Sequence, residues 1–419
     1  MSSSSQHIAI LGGGIIGLSS AYYLLQRGHR VTVLERGAPM HDSCALGSAG
    51  MICPSHFIPL AAPGMVALGL KWMLNPESPF YIQPRLNLDL MKWGWHFMRA
   101  ANAKHVAAAS IALRDLSLLS RKLYLGLEND LGDIGLVKRG MLMLCQTPHA
   151  LEEESATAAK ARELGMPAEL LTAAQVAALD PHIAMQVHGG VYFPEDCHLT
   201  PSALLAALTR RIQEMGGEIR YGFDLKKIAT QNSQITGVAG PGGEFRADQY
   251  VLCGGTWSPE LARGLKLSLP MQAGKGYSLS LPHPPAVAEI CSILVEARVA
   301  VTPMAGGMRF GGTMEITDPN STINPRRIAG IVKSATRYFP QFKAADFDGI
   351  QPWSGLRPCS PDGLPYLGRS GHYPNLTIAT GHAMLGLSLA PATGQIIADL
   401  LSGDSPEALS PMFGPDRFL

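Results

Sequence analysis

The sequence lacks most of what would set it apart from ordinary soluble enzymes. Its seven cysteines, Cys44, Cys53, Cys145, Cys197, Cys253, Cys291 and Cys359, form no CxxC pair. That spacing gives no support to a zinc site or a disulfide framework, and an odd, scattered set suits a reducing compartment. No metal is expected. Charge nearly cancels, with 34 Lys and Arg against 33 Asp and Glu, so no overall field draws nucleic acid. Basic pairs such as Lys226-Lys227 and Arg326-Arg327 are read as solvated faces. The opening MSSSSQH has no basic n-region, so no secretory signal is expected. Residues 8 to 25 are apolar over the length of a short membrane span. Their glycines cluster at one point and the pattern changes there, which fits a strand followed by a buried helix better than a span. At 419 residues the chain suits two domains rather than one core.

The glycine cluster carries the first functional signal. His7 to Leu11 is apolar and β-branched, as a buried parallel strand should be. Gly12-Gly13-Gly14-Ile15-Ile16-Gly17 then supplies G-x-G-x-x-G. Gly12 allows the tight turn, Gly14 lets the backbone approach a pyrophosphate, and Gly17 lets a helix lie close to the strand. A helix from about Ile16 to Arg27 would point its free amides at phosphates. Gly28-His29 ends it, Arg30 to Leu34 reads as a second strand, and Glu35 closes that strand as an acceptor for a ribose diol. An acid there argues against a 2′-phosphate, so NADP is disfavoured and FAD and NAD remain.

Further along, residues 41 to 64 read as a long loop touching the cofactor. Residues 65 to 100 hold Trp72, Trp93 and Trp95 among methionines and leucines, and read either as the core of a second domain or as a membrane- or quinone-facing patch. Helices are expected over 105 to 130 and 151 to 165. LLTAAQVAALDP reads as turn, short helix and stop, with Thr172 as N-cap. Gly189 to Phe193 reads as a strand and Pro201 to Met215 as a helix ended by Gly216-Gly217. Glu218 to Tyr221 reads as another strand. Residues 235 to 253 form a hairpin-like pattern ending in YVLCGG, and 290 to 316 suit an antiparallel sheet. Near the end, Asn375 to Thr380 reads as a strand, Gly381, Gly386 and Gly394 punctuate a loop, and Gln395 to Leu401 reads as a helix. Strand, glycine loop and helix again suit a ligand at a helix N-terminus, here the flavin's pyrimidine edge if the cofactor is a flavin.

The segments GGGIIGLSSAYYLLQRGHRVTVLER, SAGMICPS, GKGYSLSLP, FGGTMEI, GLRPCSPDGLPYLGR and GHAMLGLSLAPATGQIIADLLSG together resemble the D-amino-acid oxidase (DAO) superfamily of flavoproteins, most of all its D-amino-acid dehydrogenase branch. The resemblance runs along almost the whole chain. It implies an α/β Rossmann-like FAD-binding domain and an α+β substrate domain with an antiparallel sheet, interleaved in sequence. The expected boundaries are 1–53, 190–275 and 345–419 for the first and 54–189 and 276–344 for the second.

The resemblance also implies noncovalent FAD and oxidation of an amino acid to an imino acid that water converts to the 2-oxo acid and ammonia. Hydride would pass from Cα to flavin N5, with electrons going on to a quinone or another acceptor. Arg357, in GLRP, matches the arginine that binds the substrate carboxylate. Tyr277 and His382 are the other catalytic candidates. Cofactor contacts are expected from Gly12, Gly14, Ile15, Ile16, Gly17, Glu35, Arg36, Ser43, Gly50, Met51, Leu225, Gly254, Gly355, Gly381, Leu385, Gly386 and Leu387. The chain departs from the family's T-S-x-A-N-A-G at CALGSAG, where either Ser43 takes a phosphate role one place shifted or the pocket differs. It also lacks an arginine after Thr302, which leaves the substrate class open. Cyclic or secondary amino acids (D-proline, D-hydroxyproline, sarcosine or glycine), oxygen as acceptor, and a non-catalytic flavin-binding subunit stand as alternatives. A cytoplasmic place is expected, or a peripheral one at the inner face of the cytoplasmic membrane.

Overall fold

The computed structural model describes residues 5–39, 43–73, 78–304 and 306–419, with the side chains of 70–73, Trp72 among them, outside the description. A six-stranded sheet runs in the order Tyr366–Arg369, Leu376–Thr380, Gln249–Leu252, His7–Leu11, Arg30–Leu34 and Glu218–Arg220. All its pairings are parallel except the one between the first two strands. Its central strands are buried apolar runs, as the covering of both faces requires.

On one face lie four helices, Ile15–Gln26, Ala103–Leu131, Pro201–Glu214 and the C-terminal Gly386–Ser402, which share one apolar core with the sheet. The C-terminal helix starts nine residues before the expected Gln395. Gly394 lies inside it as a packing glycine, because a Cβ there would come within 2.6 Å of the Ser19 carbonyl. Pro391 also lies inside and cannot donate to the Leu387 carbonyl. The Tyr124 hydroxyl donates to that carbonyl instead at 2.6 Å, and Ser120 Oγ donates to the carbonyl of Ser388. Tyr124→Phe should therefore strand a buried carbonyl at a cost of roughly 1–3 kcal/mol. A urea melt should show a lower midpoint with an unchanged slope; an unchanged midpoint would mean another donor serves Leu387.

The second large sheet has nine strands. Its path is Trp353–Cys359, Gln272–Leu281, Gly307–Thr317, Val299–Met304, Cys291–Leu294, Met141–Cys145, Gly189–Phe193 and Glu169–Thr172, and Phe80–Ile82 pairs beside Gly307–Thr317. Most pairings are antiparallel. A two-stranded pair, Met51–Ile52 with Cys197–His198, and a small sheet within 227–245 complete the strands.

This layout moves the expected boundaries. Trp353–Cys359, Gly189–Phe193 and the first four residues of Gln272–Leu281 belong to the second sheet, although they fall almost wholly within 345–419 and 190–275. The helix Ala103–Leu131 lies in the first domain's core, although it falls within 54–189. Hairpin pairing governs the strands and apolar burial governs the helix, and neither respects the position of the glycine motifs. Thr172 caps Ala173–Leu179 through a reciprocal box with Gln175, as expected, but Leu170 and Leu171 lie in a strand.

Candidate active site

Both sheets contribute to one cavity of about 1560 Å³. A pocket for one small molecule usually has roughly 300–1,000 Å³, so this one has room for a dinucleotide and a substrate. At one end lies the first glycine turn. Gly12 has φ +117, and a Cβ on it would come within 2.5 Å of the Cys253 carbonyl. A Cβ on Gly17 would run into the Gly12 carbonyl, so Gly17 sets the helix–strand contact and does not line the cavity. Gly14 differs: a Cβ there would meet nothing within 4 Å and would project into open space. The helix beginning at Ile15 has no side-chain cap, so its first amides are left for a ligand. Gly14, Ile15 and Ile16 line the cavity there.

Glu35 sits beside this turn, 5% exposed. Its two carboxylate oxygens accept the amides of Gly13 and Gly37, each at 2.6 Å. Those two bonds fix the carboxylate on the cavity wall beside the turn. The Arg36 guanidinium lies 3.4 Å from the centre of the Trp257 ring at the same end. Leu225 and Gly254 also line this end.

The middle of the cavity is bounded by the loop 43–51 and the start of the C-terminal helix. Ser43, Gly50 and Met51 line it from one side, and Leu385, Gly386 and Leu387 from the other. Gly50, at φ +69, would bring a Cβ onto the Leu199 carbonyl. Arg309 donates to the Leu46 and Ser48 carbonyls, and Ser278 donates to the Gly47 carbonyl, so three successive loop carbonyls are turned toward the second sheet. Gly381 lies outside the lining. At φ +79 it packs against the Tyr366 ring and turns the chain from the strand Leu376–Thr380 toward the helix.

His382 is buried and lines the cavity. Its Nε2 is 3.0 Å from Thr393 Oγ1 and its Nδ1 has no partner. Burial holds its pKa down to about 3, so the imidazole is neutral. Ser43 Oγ and Trp353 Nε1 are further buried polar atoms without partners on the same walls. A Cβ-free cradle, the uncapped helix amides at the glycine turn and three orphaned polar atoms fit a large ligand with phosphates and a polar ring.

At the far end, Arg357 borders the cavity from the strand Trp353–Cys359. Two features place its guanidinium. Gly276, on the neighbouring strand, has no Cβ, and one built there would fall on the guanidinium. Opposite Gly276 the pairing slips, and Thr313 in that bulge has φ +70. The bulge offers the Thr313 carbonyl to Arg357 Nη1 at 2.8 Å. Among the described residues no carboxylate pairs with Arg357, so the rest of its donor fork is available.

Tyr277 is tied into a buried network. It borders the cavity, but its hydroxyl is donated to the Glu315 carboxylate and its ring lies in the apolar core with Tyr338 and Phe339. Glu315 in turn pairs with Arg327 at 3.4 Å. The extended period of the strand sends this ring to the core face of the sheet, where the phenol closes a structural network.

Gly355 lies against the Trp353 ring, which also packs on Gly47; neither contact allows a Cβ. Trp353 was not singled out in the sequence, although it opens the WSGLRP segment. Ser55, His56 and Asp196 were also missed. Ser55 and His56 line the cavity, and Asp196 stands behind them. Nothing in the sequence spacing joins 55 to 196; the contact depends on the short strand pair Met51–Ile52 with Cys197–His198.

The fold and site together define a two-domain protein of the dinucleotide-binding class, with an uncapped helix start at one end of the cavity and a guanidinium at the other. Residues 7–400 match the family described as FAD dependent oxidoreductase (DAO), and the chain belongs to that family. It is an FAD-dependent enzyme. It is 31% identical over 421 residues to a D-amino acid dehydrogenase of Bradyrhizobium diazoefficiens, covering 98% of each chain. Among solved structures it resembles a glycine oxidase from Geobacillus kaustophilus, with TM-score 0.80, 24% identity and full coverage of both chains. It also resembles an L-proline dehydrogenase from P. horikoshii, with TM-score 0.77, 18% identity, and 99% and 98% of the two chains covered.

Proposed function

We propose that the protein oxidises an amino acid, of D configuration, to the 2-oxo acid and ammonia. The observation that carries this reading is Arg357: a guanidinium on the cavity wall with a backbone carbonyl as its only described partner. Such a planar fork suits a carboxylate held through two parallel bonds. The likeness to the Bradyrhizobium D-amino acid dehydrogenase supports the substrate class. Bound FAD supplies the two-electron acceptor for a hydride leaving Cα. The residues of this chain do the rest. Arg357 fixes the carboxylate and hence the direction of the Cα–H bond. The neutral His382 and the apolar start of the C-terminal helix limit water around the reacting carbon.

The test is anaerobic mixing of the holoenzyme with a panel of D- and L-amino acids that includes proline, hydroxyproline, sarcosine and glycine. Bleaching of the flavin absorbance by D-amino acids is the expected result. Bleaching by L-amino acids alone would reverse the handedness, and none by any member would favour a flavin-binding subunit without a substrate of its own.

We also propose an electron acceptor at the membrane surface. Trp93 is buried and donates to the Cys359 carbonyl at 2.9 Å, so this ring belongs to the core. The opposite face of the helix Leu88–Ala100 carries Leu88, Met91, Trp95 and Met98, exposed by 83, 64, 49 and 58%. Their spacing puts them on one stripe, with Lys92 and Arg99 beside it, a composition suited to an anionic bilayer surface. The protein should sediment with vesicles containing anionic lipid, and Met91→Glu with Trp95→Glu should abolish this. Equal sedimentation of the double variant would remove the stripe from the interaction.

A further inference from the structure

The loop after Gly50 carries a hydrogen-bonded series that the reading above does not use. Its position is fixed by the Cys53 amide, which donates to Ser388 Oγ at 3.0 Å on the C-terminal helix, two residues past the start of that helix. The next residues therefore meet the cavity near its middle, where Ser55 and His56 line the wall. Ser55 Oγ lies 2.5 Å from Asp196 Oδ2 and 3.1 Å from His56 Nδ1. The Ser55 amide also donates to Asp196 Oδ1 at 3.2 Å. Asp196 is 2% exposed. Among the described residues, Nε2 of His56 has no partner.

Hydrogen counting fixes the polarity of this series. Ser55 Oγ has one hydrogen. When Asp196 is ionised, that hydrogen goes to the carboxylate, so the bond at 3.1 Å must be filled by Nδ1–H of His56. Nε2 is then a bare lone pair on the cavity wall. We propose that His56, Ser55 and Asp196 form a proton relay whose cavity end, His56 Nε2, takes a proton from the ammonium group of the substrate; this rests on the amino-acid reading above. An N–H bond of the ammonium breaks and Nε2–H forms. Nδ1–H passes to Ser55 Oγ as the hydroxyl's own hydrogen passes to Asp196 Oδ2. The amine is left neutral, with a lone pair that becomes the C=N bond as hydride leaves Cα, and the two electrons go to the acceptor the enzyme already uses.

The environment suits these roles. Burial first, then Arg298, holds the His56 pKa down to about 4, so the ring carries no resting charge at neutral pH. Burial pushes Asp196 up to about 7, against the bonds from Ser55 and Cys53 and the field of Arg121. The proton thus ends on a group poised near neutrality, where general-base catalysis is most effective. The other ionisable groups facing Asp196 are Cys53, Cys197 and Cys291, all kept as thiols by burial. Glu154 faces Arg298 from the neighbouring helix, and burial raises its pKa.

The test follows the rate of anaerobic flavin reduction by an amino acid against pH. In the native holoenzyme the rate should rise with pH through a value near 7, as Asp196 ionises. Asp196→Asn, Ser55→Ala and His56→Gln should each move that rise toward the substrate's own ammonium pKa and slow reduction at neutral pH by ~100-fold or more. A substrate with fluorine beside the amine-bearing carbon, whose ammonium is more acidic, should recover much of the loss. An infrared carboxylic-acid band that titrates near neutrality without substrate and is absent in Asp196→Asn should identify the relay's end independently of turnover. An unchanged pH profile in Asp196→Asn and Ser55→Ala would overturn the relay. So would one equivalent of metal held by Cys53, His56 and Asp196, whose donor atoms lie within 4.8 Å of one another. If no amino acid reduces the native flavin, the substrate reading fails, and the infrared titration still decides whether the three residues act as one unit.

Discussion

Replacing Arg357 by alanine is expected to lower kcat/KM for the amino acid by 2–5 kcal/mol, roughly 30- to 5,000-fold, with FAD retained. The guanidinium has one described bond, to the Thr313 carbonyl, so its removal leaves no protein carboxylate unpaired. The loss falls on the substrate, whose carboxylate would face the cavity without a partner. Arg357→Lys should recover only part of it, because an ammonium is a point charge and cannot match two carboxylate oxygens in a plane. Steady-state kinetics with a measured flavin-to-protein ratio separates the cases. Native kinetics in the alanine variant would remove Arg357 from the site.

Gly14→Val is expected to give folded protein that has lost FAD. The position has φ −70, open to any residue, and a Cβ on it meets no protein atom within 4 Å. The new side chain would occupy the space over the uncapped helix amides, where the pyrophosphate belongs. Losing two charge-assisted bonds of roughly 1.5–3 kcal/mol each should weaken FAD at least about 100-fold. Gly17→Val is the contrasting case. Its Cβ would strike the Gly12 carbonyl, so it should yield little soluble protein. Reconstitution with free FAD, followed by flavin fluorescence, distinguishes the two. Normal flavin occupancy in Gly14→Val would mean that the phosphates lie elsewhere.

The nucleotide end was legible because its determinants are local. Strand, glycines, helix, strand and acid lie within residues 7 to 35, and each glycine has one backbone reason to be there. Arg357 was legible only through a motif. Its placement depends on Gly276 and on the Thr313 bulge, two strands that the sequence does not show to be neighbours. The Tyr277–Glu315 bond was not legible because the segment fixed the strand but not which face of the sheet each side chain takes. The C-terminal helix was cut short because Gly394 reads as loop punctuation, whereas the helix runs through both it and Pro391. A close helix contact and a borrowed hydroxyl accommodate them instead. The Ser55–Asp196 contact spans 141 positions and had no local signal. The sheet membership of Trp353–Cys359 and the packing of Ala103–Leu131 had no local signal for the same reason: strands pair and helices pack by shape and burial, not by distance along the chain.

The most direct measurement is a titration of the holoenzyme with a carboxylate that cannot be oxidised, followed by flavin absorbance, in the native protein and in Arg357→Ala. If one cavity joins the phosphate turn at Gly14 to the guanidinium at 357, the native flavin band should shift saturably. The variant should need roughly 30-fold more ligand or more for the same shift. A native band that does not respond, or responds equally well without the guanidinium, would contradict a shared site.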